Sequence, residues 1–212
     1  MTRILAVADE VDESLYGDKL DALRPDLVVS CGDLPFEYLE YLVTRANVPL
    51  LYVPGNHDPN VRALNLSWSP LQPEAPVPGP QGCDNVDGRV FEENGLSIAG
   101  LGGCLRYKPG PNQYSQAQMR WRVLNLEFRI RTKRVRAERK LDLFITHAPP
   151  FGVAEAKDAA HVGFVAFHRI IKGLHPVLLV HGHIHPYGRT QPERRVDGTR
   201  IVNAVPSRLI EI

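Results

Sequence analysis

The sequence predicts an α/β fold. Short, continuous apolar runs alternate along the chain with segments whose apolar residues recur at helical spacing. Continuous apolar runs are typical of strands buried on both faces, and their alternation with helices indicates β-α-β units. With 212 residues, the chain is predicted to form one domain, 1–212, large enough to bury a substantial core.

The first 60 residues contain three predicted strands, each leading directly into a loop that carries a polar residue. The strands are Ile4–Ala8, Leu27–Val29 and Leu50–Val53. Two helices are predicted between them, at residues 13–24, which Pro25 would end, and at residues 36–46.

A proline-rich segment, residues 67–85, separates this half from the rest and predicts a surface loop. After it, the Asn94-Gly95 turn predicts a hairpin. Residues 113–139 are predicted to be mostly helical, although the alternation of apolar residues from Leu124 to Ile130 also fits a strand. The remaining predicted elements are strands Leu141–Thr146 and Val177–Val180, a helix over 161–173, and a terminal hairpin over Asp197-Gly198 with a last strand.

The net charge of +1 conceals an uneven distribution along the chain. Residues 1–60 hold 11 acidic and 4 basic residues, whereas residues 120–140 hold 9 basic and 2 acidic residues. An acidic segment is either a solvated face or a cation site, and a basic one is either a solvated helix face or a polyanion contact.

Three cysteines without CxxC spacing indicate neither a disulfide framework nor a thiolate zinc site. No apolar run approaches the length of a membrane helix, and residues 1–8 are too short for a signal peptide. We therefore expect a cytoplasmic protein that has no membrane partner.

Polar residues follow five of the predicted strands. They are Asp9, Asp33, Asn56, His147, and His183 with His185. In open α/β sheets, ligands bind beyond the carboxyl ends of the strands, so these side chains are expected to meet. Carboxylate, amide and imidazole donors without thiolates suit divalent transition metals.

The order of these motifs resembles that of the calcineurin-like metallophosphoesterases, whose pattern is DxH, GD, GNH(D/E), a lone His and GHxH. The corresponding residues here are Asp9-Glu10-Val11, Gly32-Asp33, Gly55-Asn56-His57-Asp58, His147 and Gly182-His183-Ile184-His185. The resemblance implies two mixed β-sheets packed as a central sandwich flanked by helices.

The resemblance also implies hydrolysis of a phosphomonoester or phosphodiester by a hydroxide held between two divalent metal ions. The expected ions are Mn or Fe, with Zn, Ni and Mg as alternatives. The implied ligands are Asp33 bridging both ions, Asp9 and His185 at the first, and Asn56, His147 and His183 at the second. His57 would face the phosphate of a small phosphate-ester substrate, and Asp58 would orient His57.

The first motif departs from the family pattern, because Val11 stands where a metal-binding histidine is expected. A water or a carboxylate of Glu10, Asp12 or Glu13 would fill the position, or the first site would bind its ion weakly. A competing hypothesis is a catalytically weak or inactive scaffold, since fold does not fix function.

A second alternative is a nuclease that uses the basic 120–140 segment to contact nucleic acid. A solvated helix face is favoured, because no aromatic residues interleave with the basic residues beyond Phe128, and Trp121 is predicted to be a packing residue. Arg106, Tyr107 and His161 are candidate substrate-binding residues.

Overall fold

The computed structural model describes residues 1–60, 79–137, 140–154, 158–186 and 192–212. Most of the predicted proline-rich loop, including Trp68, lies outside these residues. The described helices are α1 (Asp18–Leu23), α2 (Phe36–Ala46), α3 (Gln116–Ala137) and α4 (Phe167–Leu174). The strands are β1 (Arg3–Val7), β2 (Leu27–Ser30), β3 (Leu50–Tyr52), β4 (Cys83–Asn85), β5 (Val90–Glu93), β6 (Leu96–Leu101), β7 (Cys104–Leu105), β8 (Gln113–Tyr114), β9 (Leu143–Thr146), β10 (Leu178–His181), β11 (Arg194–Val196), β12 (Thr199–Asn203) and β13 (Ser207–Glu211).

Two large mixed sheets form the centre of the molecule, which confirms the expected fold class. The first sheet has the strand order β13-β1-β2-β3-β4 and is parallel except at β13. The second has the order β11-β12-β10-β9-β6-β5 and is parallel between β12 and β6, with an antiparallel strand at each edge.

The apolar side chains of each strand divide between two layers, because successive residues point to opposite faces of a sheet. Ile4 and Val29 of the first sheet pack against Ile145 and Val180 of the second, and these residues form the layer between the sheets. The outer face of the first sheet packs against α1 and α2, and the outer face of the second packs against α3 and α4. Continuous apolar strands in the sequence follow from this burial on both faces.

Two predicted helices differ from the observed ones. The segment predicted as a helix over 13–24 is a 3-10 turn, Glu13–Tyr16, followed by α1, because Gly17 between them is extended. The helix predicted over 161–173 begins only at Phe167. Gly163 precedes it with φ +77°, a conformation outside the helical range.

Within the segment 113–139, the helical alternative is correct, because α3 spans Gln116–Ala137. Gln113–Tyr114 form the short strand β8. The prediction of a loop over 67–85 is wrong at its end, where Cys83–Asn85 pair with β3 as an edge strand. All three cysteines are free. Among the described residues, no helix combines the length and apolarity needed to cross a bilayer.

Candidate metal centre

The loops that follow β1, β2, β3, β9 and β10 meet at one edge of the sandwich. A single ligand atom from each of Asp9, Asp33, His147 and His183 falls within 4.8 Å of the others. These residues follow four different strands and are spread along the chain from residue 9 to residue 183. Asp9, Asp33 and His183 line an open cavity of about 380 Å³, whereas His147 is fully buried. The expectation that the strand ends bring these four side chains together is therefore met.

Asn56 joins this cluster through His147. Its Oδ1 lies 2.9 Å from His147 Nε2, and Asp33 Oδ2 lies 3.3 Å from the same nitrogen. The other ring nitrogen, Nδ1, donates to the carbonyl of Cys31 at 2.7 Å, which fixes the ring. Because Nδ1 is committed to the carbonyl, Nε2 and the two oxygen atoms converge on one position, which a proton occupies in the metal-free protein and which a divalent cation would suit.

The electrostatics of the cluster reflect this convergence. Burial favours the uncharged form of His147, but the charge and hydrogen bond of Asp33, the charge of Asp9 and the hydrogen bond to the Cys31 carbonyl together outweigh it and raise the His147 pKa to about 9. Burial raises the pKa of Asp9 to about 6, against the charge of His147. Burial would also raise the pKa of Asp33, but the charge and hydrogen bond of His147 lower it. Burial and the neighbouring His147 lower the pKa of His183 to about 3, which leaves a neutral imidazole.

Close backbone approaches hold the loops in place. A side chain on Gly182 would collide with the carboxylate of Asp9, which accepts a hydrogen bond of 2.8 Å from the His183 amide. Gly32, at φ +95°, packs directly against the backbone of Gly55, so neither loop has room for a larger residue there.

The first motif, which lacks the expected histidine, has a different arrangement. Val11 is half-buried and packs into the apolar layer between the first sheet and its helices. Asp12 accepts hydrogen bonds from the Ser14 amide, Lys19 and Ser207, so it is committed locally. Glu10 instead reaches His185, with 2.7 Å between Glu10 Oε1 and His185 Nδ1. Of the three candidate carboxylates, Glu10 is the one in contact with a predicted ligand.

The rim of the cavity carries four groups with polar side chains. His57, Tyr107, Asp158 and His161 all line it. Tyr107 Oη lies 3.5 Å from Asn56 Nδ2, and the His161 ring packs on His183 with 4.9 Å between the ring centroids. Asp158 Oδ1 lies 2.7 Å from His161 Nδ1, so this carboxylate orients the histidine at the cavity edge.

Two other predicted site residues face elsewhere. Asp58 accepts hydrogen bonds from the backbone amides of Gly55 and Asp33, at 2.7 and 2.9 Å, and thereby ties the loops after β2 and β3 together. Arg106 points away from the cavity lining, because its guanidinium donates to the Gln113 carbonyl and to Gln118.

The sequence analysis missed Asp158 and the carbonyl of Ala160 as parts of the site. In the sequence, Asp158 has the position of a helix cap, and in the structure it caps the 3-10 turn Ala159–His161 by accepting hydrogen bonds from the amides of residues 160 and 161. The Ala160 carbonyl accepts from His183 Nε2 at 3.1 Å, a contact that no sequence pattern signals.

The sandwich of two mixed sheets and the Asp, Asn and His donors at their strand ends define a class of α/β proteins that bind divalent metal ions. The chain belongs to the calcineurin-like phosphoesterase family, whose model matches residues 3–187. No curated protein matches the sequence significantly.

Solved structures share the fold at low sequence identity. One crystal structure is similar with a TM-score of 0.61 and 17% identity, over 96% of this chain and 90% of that one. TT1561 of Thermus thermophilus is similar with a TM-score of 0.57 and 16% identity, over 96% of this chain and 88% of that one. Vps29 from Entamoeba histolytica is a more distant match, with a TM-score of 0.44 and 14% identity over 95% of this chain and 73% of that one.

Proposed function

We propose that this chain is a hydrolase of phosphomonoesters or phosphodiesters that uses two divalent metal ions, most simply Mn. The observation that carries the proposal is the convergence of Asp9, Asp33, His147 and His183 within 4.8 Å. Bringing two carboxylates and two imidazoles together costs free energy of desolvation unless a cation compensates their charge. The cluster is therefore better explained by a metal-binding protein than by one that binds no metal.

Two ions would be held by two sets of ligands that both include Asp33. Asp9 and His185 would hold the first, with Glu10 in contact with His185. Asn56, His147 and His183 would hold the second. When bound, such ions would lower the pKa of a bound water and polarise the phosphoryl oxygens of a substrate.

The side chains of the rim would act on the substrate directly. The exposed His57 lines the cavity, and its backbone amide donates to Asp33 Oδ1 at 2.7 Å, which places the histidine beside the shared carboxylate. We assign it the protonation of the leaving oxygen or the stabilisation of charge on the phosphate. Asp58 acts by fixing the two loops, and Tyr107 and His161 are positioned to contact the leaving group.

The test is hydrolysis by the purified full-length chain after metal removal and resupply with Mn. The substrates are p-nitrophenyl phosphate, bis-p-nitrophenyl phosphate and a cyclic nucleotide, which represent a monoester, a diester and a cyclic diester. We expect metal-dependent turnover of at least one of them, and a loss of at least about 100-fold in Asp33→Ala because charge stabilisation by the ions is lost.

The matched control is Asp18→Ala, which removes an exposed carboxylate of α1 far from the cavity. It should retain the wild-type rate. Absence of turnover with any metal, or full activity in Asp33→Ala, would contradict the proposal and favour a scaffold that has kept the fold without the chemistry.

A further inference from the structure

The outer face of α3 presents two large aromatic side chains to solvent. Trp121 is 65% exposed and Phe128 is 70% exposed. They are two helical turns apart, about 10 Å, and so lie on the same side of the helix. The core-facing side of α3 is formed instead by Met119, Val123 and Leu126. The prediction that Trp121 is a packing residue is therefore wrong.

A groove along the side of α3, next to the face that carries these aromatic side chains, holds several cations. Arg129 and Lys133 line a groove of about 420 Å³ between α3 and the edge strand β5, together with Arg89 and Phe91. Arg129 donates to the Gly88 carbonyl and Lys133 to the Val90 carbonyl, both at 2.7 Å. Carbonyl partners orient these cations without neutralising them, so the groove keeps a positive charge.

Other basic residues of the helix are used differently. Arg122 pairs with Asp87, and Arg131 pairs with Glu127, which is 6% exposed. The first pair joins α3 to the segment before β5, and the second lies within the helix. The positive charge that remains available within the described part of α3 is therefore concentrated beside the exposed aromatic residues.

The N-terminal end of α3 contacts two segments that carry residues of the metal-centre cavity. Gln118 accepts a hydrogen bond of 2.9 Å from Arg106, whose neighbour Tyr107 lines the cavity. On the other side, Gln116 donates to the Gly163 carbonyl at 2.9 Å, two residues after His161. The helix α3 therefore runs from the basic groove toward the segments that carry Tyr107 and His161.

We infer that this face, formed by Trp121, Phe128, Arg129 and Lys133 with Arg89, binds single-stranded nucleic acid and guides it to the metal centre. The inference rests on the proposed phosphoesterase function and specifies a substrate class for the same site. Aromatic side chains stack on unpaired bases regardless of sequence, and cations beside them contact the phosphates.

A single strand fits the observations better than the other partners that a basic, aromatic face attracts. An acidic protein helix or an anionic membrane would use the same aromatic and basic side chains. Neither would use the continuity between this face and the metal centre, whereas a strand lying along α3 would present its phosphodiester to that centre. A second copy of the chain is disfavoured, since two such basic faces repel each other.

The test is the binding of fluorescein-labelled dT20 to the full-length chain in the Mn-containing assay buffer, measured by anisotropy. All proteins carry Asp33→Ala, so that cleavage does not consume the probe. We expect binding that weakens with salt, and quenching of tryptophan fluorescence that disappears with Trp121→Ala. Trp121→Ala and Phe128→Ala should each weaken binding about 5- to 100-fold through lost stacking.

The charge contribution is tested separately with Arg129→Gln and Lys133→Gln. Each should reduce the slope of log affinity against log salt by about 0.7, the contribution of one phosphate contact in a single strand. The matched controls are Lys172→Gln on α4 and Tyr16→Ala in the 3-10 turn before α1, an exposed cation and a half-exposed aromatic residue that should leave binding unchanged.

Three results would overturn the inference. They are absence of dT20 binding at low salt, binding that none of the four substitutions on α3 weakens, and Trp121-dependent binding to phosphatidylglycerol vesicles or self-association without dT20 binding. Failure of the proposed function is distinguishable, because it is measured as wild-type turnover of small esters, whereas binding is measured in a background that does not require turnover.

Discussion

Three residues of the candidate metal centre have left-handed backbone conformations. Asp9, Asp33 and His183 have φ values of 60°, 58° and 66°. Non-glycine residues seldom adopt this region, and such conformations persist where the surrounding structure holds them. The sequence predicts the identity of these residues because each follows a buried strand. It does not predict their backbone conformation, which depends on contacts such as that between Gly182 and Asp9.

The contact between Glu10 and His185 shows which carboxylate lies next to a predicted ligand of the first metal site, a question that the sequence left open. It joins residues 175 positions apart, and the sequence offered Glu10, Asp12 and Glu13 as equal alternatives. We predict that Glu10→Gln weakens the first metal site about 10- to 100-fold, the usual effect of removing a carboxylate that supports a metal-bound histidine. Two-site Mn titration by calorimetry measures both affinities.

Glu13→Gln is the matched control for this substitution, since Glu13 is an exposed carboxylate three residues away. It should leave both affinities unchanged. Equal affinities in Glu10→Gln and wild type would show that Glu10 does not support the first site.

Asp12 makes a prediction about acid stability. Burial opposes its ionisation, but hydrogen bonds from Ser14, Ser207 and Lys19 lower its pKa from 3.8 to about 2. Because the folded-state pKa is depressed, this contribution is fully present above about pH 4 and is lost as the pH falls toward 2. At pH 7, Asp12→Asn should reduce the free energy of unfolding by about 2 kcal/mol.

The measurement is urea denaturation of wild type and Asp12→Asn at several pH values between 2 and 7. The difference between them should shrink below about pH 4. A difference that stays constant across this range would mean that the carboxylate contributes through packing alone.

At the scale of elements, prediction succeeded where local pattern and tertiary packing agree. The helix predicted over 36–46 is α2, Phe36–Ala46, whose Leu39 and Leu42 are buried against the first sheet. Prediction failed where contacts with residues distant in the sequence determine the local backbone conformation. Gly163 is packed against the Pro149 carbonyl, so the chain before α4 turns instead of forming a helix. Strand β4 was missed because its residues, Cys83–Asn85, have little strand propensity.

The packing of α4 on the second sheet leads to a stability prediction. Phe144 of β9 is fully buried and meets Phe167 of α4 edge to face, with ring centroids 5.6 Å apart. Phe144→Ala should lower the free energy of unfolding by about 3–5 kcal/mol through lost burial and the cavity it leaves. Phe128→Ala, at an exposed phenylalanine, should change it by less than about 0.5 kcal/mol.

Denaturant unfolding followed by circular dichroism measures both variants under one condition. Similar losses of stability in the two would mean that burial does not distinguish these phenylalanines, contrary to the observed layers.

At the scale of the whole molecule, the acidic and basic residues that sum to a net charge of +1 are concentrated in different segments. The acidic first 60 residues supply Asp9 and Asp33 to the cavity, and the basic segment 120–140 falls mostly on α3. Sequence predicted the α/β class and the family's motifs. It did not predict the exposed face of α3, because Trp121 is a large apolar residue of the kind expected on the buried side of a helix, whereas it is 65% exposed.

The proposed mechanism requires that two divalent ions share Asp33. Its most direct test is calorimetric titration of the metal-depleted full-length chain with Mn, beside Asp33→Ala and the control Asp18→Ala. We predict two ions per chain for wild type and for Asp18→Ala, and the loss of tight binding at both sites in Asp33→Ala. Binding of no Mn by the wild-type chain, or the same two ions in Asp33→Ala, would contradict it.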